Sequence, residues 1–191
     1  MTHSSDRSDA PQPSSAVPPG QAPSGTLNLD ESAAMSAEAA ARAARHEGPL
    51  RIQALPKLTP EAARELAAHA DFLALDGLRD LSPEVALALA SHRGPLSLNG
   101  LEKLSPATAT ALGSHVGKIY LNGVKQLEPE LADALIAHNG MIYLGGVKAI
   151  SLALAQKLIR CRGFLLFSGV RGLTAEVRGV LRQSARIHVP D

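Results

Sequence analysis

With 191 residues and a formal net charge of +1, the chain presents no global field that would draw it to nucleic acid or to an anionic membrane. Cys161 is its single cysteine, which excludes an internal disulfide and permits a reducing compartment. No stretch approaches the roughly 18 apolar residues of a membrane span, and the N-terminus lacks the basic-then-apolar order of a cleaved secretory signal.

Residues 1–25 are rich in Ser, Pro, Gln, Asp and Gly, with almost nothing to bury, and predict a disordered tail. From Thr26 onward a register returns every 23 residues. It carries Leu50, Leu73, Leu96, Ile119, Ile142 and Leu165, and in parallel Ile52, Leu75, Leu98, Leu121, Leu144 and Phe167. Gly77, Gly100, Gly123, Gly146 and Gly169 keep the same step, as do His46, His69, His92, His115 and His138. Periods of this length signal solenoids, whose units cannot bury their apolar faces alone. Units are expected to begin at 26, 49, 72, 95, 118, 141 and 164, with a terminal strand over 186–189.

Each unit reads as strand, turn, helix and turn. In residues 95–117, Leu96-Ser97-Leu98 alternates as a short strand with both leucines on one face. Asn99-Gly100 turns the chain, the glycine being expected to take a backbone conformation that a Cβ would resist. Ser105-Pro106 marks a helix start, with an oxygen acceptor at the cap and a proline whose missing N–H costs nothing there. Thr59-Pro60, Ser82-Pro83 and Glu128-Pro129 repeat that signal. Ala86, Ala109 and Ala132, with Leu89, Leu112 and Leu135, give each helix an inward stripe of small and apolar residues. Gly94, Gly117, Gly140 and Gly163 then read as glycines just past a helix end.

The ends depart from the pattern as caps should. Glu31 and Ser32 replace the turn glycine and leucine of the first unit. Arg178 takes the place of the stripe alanine in the last, which is also one residue short. The expected fold is therefore an α/β, right-handed β/α solenoid of about seven units on one parallel sheet.

The block LxLNGLxxLSPxxAxAL at residues 96–112, nearly repeated at 73–89, resembles the leucine-rich-repeat arrays of bacterial proteins. The resemblance covers roughly residues 26–189 and implies a curved β/α solenoid that binds proteins through its sheet. It is a variant. The family places Asn or Cys three residues after the second strand leucine, whereas this chain has Leu78, Leu101, Val124, Val147 and Val170 there. Its polar residues, Asp76, Asn99 and Asn122, come immediately after the strand instead.

If Leu96 and Leu98 point inward, Ser97 points out, in a column with Asn28, Arg51, Ala74, Tyr120, Tyr143 and Leu166. A flanking outward column holds Thr26, Pro49, Phe72, Pro95, Lys118, Met141 and Phe164. Four of the five aromatic residues fall in these columns, and Phe167 alone takes an inward strand position. Tyr120, Tyr143, Met141, Phe164, Leu166 and Phe72 are thus the expected partner-binding residues, since apolar patches with tyrosines form interface cores. The bland alternative is that these side chains only shield the sheet. Arg160, Arg162 and Arg171 offer a basic rim, although a solvated edge is the commoner explanation for such residues; Lys and Arg are in excess from Met141 onward.

The histidine column invites a metal reading, but no carboxylate or cysteine recurs beside it. A role in the last helical turn is preferred, each imidazole bonding an orphan carbonyl and its charge suiting the helix dipole. Cys161 reads as a small buried residue in the histidine slot rather than a nucleophile paired with His138. Asp30, Asp76, Asn99 and Asn122 read as turn residues rather than a calcium site, and Glu61, Glu84 and Glu130 as helix-start glutamates. No cofactor, metal or catalytic constellation is expected, so the function read here is a non-enzymatic scaffold for a protein partner. Stacking of bases on the outward aromatics is the weaker possibility. The chain is expected in the cytoplasm, as a monomer or end-to-end dimer. The alternative is a secreted effector of leucine-rich-repeat type that binds host proteins, with residues 1–25 as an uncleaved export signal.

Overall fold

The computed structural model describes residues 35–190. The expected tail and the first strand, placed after Thr26, lie outside them. The elements run α1 (Ala37–Ala44), β1 (Leu50–Arg51), α2 (Pro60–Ala67), β2 (Leu73–Ala74), α3 (Pro83–Leu89), β3 (Leu96–Ser97) and α4 (Pro106–Leu112). They continue through β4 (Lys118–Tyr120), α5 (Pro129–Ala137), β5 (Met141–Tyr143), α6 (Leu152–Leu158), β6 (Phe164–Leu166), α7 (Ala175–Leu181) and β7 (Ile187–His188). All seven strands are parallel and lie in sequence order in one sheet. Leu50 pairs with Leu73, Leu73 with Leu96, Leu96 with Ile119, and Ile142 with Leu165. The sequence period thus becomes lateral adjacency. At the last step Leu165 pairs with Ile187, which absorbs the missing residue.

Two apolar layers meet between sheet and helices. Leu73, Leu75, Leu96, Leu98, Leu144 and Phe167 are completely buried against the stripe alanines, among them Ala63, Ala86, Ala132 and Ala155. Each such leucine contributes about 1.5–3 kcal/mol by leaving water. Alanine opposite leucine brings helix and sheet close without large aromatic side chains.

The helix starts follow their capping chemistry. Thr59, Ser82, Ser105, Ser151 and Thr174 each accept a hydrogen bond from the backbone N–H three residues on, at 3.1–3.3 Å. Glu128, before Pro129, makes no side-chain cap bond. Glu128→Ser is therefore expected to stabilise the protein by about 0.5–1 kcal/mol, read as a higher urea midpoint with unchanged slope.

The glycines correct the sequence reading. Among the described residues only Gly48 and Gly172 have positive φ, at 84° and 64°. Gly77, Gly100, Gly123 and Gly146 are needed for space instead. A Cβ on Gly100 would strike the carbonyl oxygens of Asp76 and Leu78, and one on Gly123 those of Asn99 and Leu101. Gly94, Gly117, Gly140 and Gly163 are likewise not left-handed helix caps. A Cβ at Gly94 would lie 2.5 Å from the Asp71 carbonyl oxygen and 2.9 Å from His92 Nε2. These glycines let one backbone coil lie directly on the next.

Arg178 Nη1 donates to the Pro190 carbonyl at 3.1 Å and ties α7 to the segment after β7.

Candidate functional site

Alternation along each strand sends one side chain toward the helices and the next to the open face of the sheet. Leu96 and Leu98 are buried in the core, so Ser97 and its lateral partners Ala74, Tyr120, Tyr143 and Leu166 occupy the open side. Register aligns Lys118, Met141 and Phe164 in the flanking row.

The rings meet. Tyr120 and Tyr143 stack with centroids 4.5 Å apart and planes inclined by 14°. Phe72 reaches past β3 to meet Tyr120 edge-on, at 6.0 Å and 80°. The Arg51 guanidinium sits over the Phe72 ring, 5.1 Å from its centroid. Such ring contacts are worth about 0.5–1.5 kcal/mol each beyond their burial, and an exposed cation over a ring about 0.5–1 kcal/mol.

The six expected partner-binding residues are therefore brought together, but unevenly. On the side of β2 and β3 the aromatics partly shield the sheet: Ala74 and Ser97 are 3% and 2% exposed beneath them. Toward β5 and β6, Met141, Tyr143 and Leu166 are half-buried and Phe164 remains 49% exposed. The suggested basic rim does not form as one line. Arg160 and Arg162 stand before β6, whereas Arg171 lies beyond its other end, in the loop to α7.

One edge of this face is held by a polar ladder. Asp76 Oδ1 accepts from Asn99 N at 2.8 Å and from Ser97 Oγ at 2.6 Å. Asn99 Oδ1 then accepts from Asn122 N at 2.9 Å, and Asn122 Oδ1 from Gly145 N at 2.8 Å. Asn99 Nδ2 also donates to Ser97 Oγ at 2.8 Å, which accounts for a serine buried without loss. The displaced polar positions thus build a ladder of their own, one link per unit, each worth about 0.5–1.5 kcal/mol net.

Behind the sheet, beside the helix ends, the histidines form a second column. His69, His92, His115 and His138 stack in line, with centroids 6.2–6.3 Å apart and planes within 11°. All four are buried. His69 Nδ1 bonds the Ala44 carbonyl of the preceding unit at 3.2 Å; His92, His115 and His138 lie beside the equivalent Ala67, Ala90 and Gly113 backbone without a well-aligned hydrogen bond. Burial drives their basicity down, and His115, with imidazoles on both sides, falls to about 4. This corrects the expectation of a dipole-stabilising positive charge in the last helical turn: His69 follows the cap Ala68, and His92 and His115 lie two residues past theirs. Cys161, in the next place, is also buried; its Sγ lies 3.3 Å from the Gly163 carbonyl, and burial pushes the thiol up, away from nucleophilic use.

Among the described residues no three His, Cys, Asp or Glu side chains are grouped to hold a metal ion, and no helix is long and apolar enough to cross a membrane. Strand–helix units on one in-register parallel sheet define the class: an α/β repeat solenoid. Comparison with protein-family models, with curated proteins and with solved structures returns no match in any of the three.

Proposed function

We propose that this chain is a non-enzymatic scaffold of leucine-rich-repeat type that captures a protein partner on the open face of its sheet. Tyr120, Tyr143, Met141, Phe164, Leu166 and Phe72 form the contact surface. The observation that carries this reading is the connected ring system from Phe72 through Tyr143, continued by the apolar side chains of β5 and β6. A chain with five aromatic residues sets four of them on the side away from its core. Rigid aromatics of this kind supply most binding energy in protein interfaces.

The test is the double variant Tyr120→Ala/Tyr143→Ala in affinity capture. Partner retention is expected to fall at least tenfold, while the thermal midpoint drops by only a few degrees, about 1–2 kcal/mol for the lost stack. Retained capture would exclude this face. Loss of the fold would make the tyrosines structural.

A further inference from the structure

We infer that the occupant of the open face is an acidic protein segment with apolar side chains, laid in extended form across the strands. This rests on the docking role proposed above and names the chemistry of the partner.

The cations of the face are spaced along the stack. Arg51 stands on β1, Lys118 on β4, and Arg186 immediately before β7, level with Phe164. All three are exposed. Among the described residues none of them pairs with a carboxylate: the ion pairs join Arg64 to Glu61, Lys125 to Glu102 and Lys157 to Asp133. The Arg51 guanidinium lies over Phe72, and Arg186 Nη1 donates to the Cys161 carbonyl at 3.3 Å, leaving other N–H groups for a ligand. Two acids of the neighbouring unit are internally bonded. Asp76 holds the ladder, and Asp71 Oδ1 accepts from Phe72 N at 2.6 Å.

Parallel strands are about 4.8 Å apart, so three strand steps, about 14 Å, separate Lys118 from Arg186 in one row. Arg51 is rooted three strands before Lys118 in the Tyr120 row, and its side chain reaches over Phe72 toward the Lys118 row, which makes the first interval similar. An extended chain advances about 3.3 Å per residue and returns to one face every second residue. Carboxylates four residues apart would therefore meet the three cations. The same-face residue midway in each interval would rest first on the Phe72–Tyr120 pair, then among Met141, Tyr143, Phe164 and Leu166. The matching pattern is acidic-x-apolar-x-acidic-x-apolar-x-acidic. A nucleic-acid backbone carries a phosphate at every nucleotide, far denser than three cations spread along the whole sheet, and so fits this arrangement less well.

The experiment selects a displayed library of random 12-residue peptides on the full chain, then measures the enriched sequences by fluorescence polarisation. Net-negative peptides with acidic residues four apart and Leu, Ile, Phe or Tyr between them are expected. Their affinity should fall at least tenfold in Lys118→Glu and be lost in Tyr120→Ala/Tyr143→Ala. Enriched peptides that are neutral or basic, yet still lost in the tyrosine variant, would overturn the acidic partner and leave the docking face standing. Peptides indifferent to the tyrosine variant would overturn the face itself. Tighter binding of fluorescein-labelled dT12 than of any peptide would assign the face to single-stranded nucleic acid. No enrichment, with a dimer in sedimentation that Tyr120→Ala disperses, would make a second copy the occupant; no enrichment without such a dimer would equally overturn the proposal.

Discussion

The Gly100→Ala variant is expected to lose about 3 kcal/mol of stability or more, a large effect for a single added methyl group. Its Cβ would be driven into the carbonyl oxygens of Asp76 and Leu78 and to 2.9 Å from the Asp76 carbonyl carbon. All three are backbone atoms of the preceding turn, which cannot rotate aside as a flexible side chain would. Overpacking against such atoms exceeds the usual 1–3 kcal/mol of a crowded core, and a domain commands only about 5–15 kcal/mol in total. Because each unit is stabilised chiefly by its neighbours, a shifted turn at Gly100 weakens the interfaces on both sides. Gly179→Ala is the control: nothing lies within 4 Å of its added Cβ, it sits inside α7, and it should gain about 0.5–1 kcal/mol. Urea denaturation followed by circular dichroism reads both. Equal midpoints for Gly100→Ala and wild type would show that the turns are not in backbone contact.

The second large effect is acid destabilisation through the imidazole column. His115 titrates at about 4 in the folded chain against an ordinary 6.5, so the unfolded chain binds its proton more readily. Stability from this group is complete above pH 6.5 and is lost as pH falls from there through about 4. The full displacement corresponds to about 3 kcal/mol. His92 and His138 shift the same way and face His115 directly, so one proton discourages the next. Glu102, held ionised by Lys125, and Glu84, held so by backbone and Ser82 hydrogen bonds, add acid sensitivity of the same sign at lower pH. The readout is therefore a difference between proteins. Between pH 7 and pH 4.5 wild type should lose about 2–3 kcal/mol more than His115→Gln, which carries no charge across that range. Parallel pH profiles for the two would mean that the imidazole is solvated when protonated.

The period was enough to read the solenoid, because a residue returning every 23 positions in the same chemical role has to meet its counterpart laterally. The helix starts were equally open to reading: a serine or threonine before a proline or acidic residue has few other uses. The outward placement of Tyr120, Tyr143 and Phe164 followed from alternation alone. What a linear pattern hides is distance between backbones. Nothing in the recurrence of Gly100 separates a left-handed turn from a coil pressed on its neighbour, since both demand the absence of a Cβ. Nor does Phe72 announce its contact with Tyr120, which skips a strand and depends on Ala74 and Ser97 being small. The histidines misled for a related reason. A position near a helix end suggests an exposed cation, but the following unit covers it, and burial reverses the charge preference.

The ladder from Asp76 to Gly145 has a direction, and direction governs how such a chain can lengthen. Residues 95–117 contain Asn99, which receives support from the unit before and extends it to the unit after. A tandem duplication of that block would insert a complete link and leave every neighbouring bond intact. A duplication of residues 141–163 would instead follow the last link, and its Gly145, with no side chain to offer, would add a unit without one. Copying therefore carries the ladder forward near the middle of the array and adds nothing to it beyond Gly145, where the polar series has already stopped.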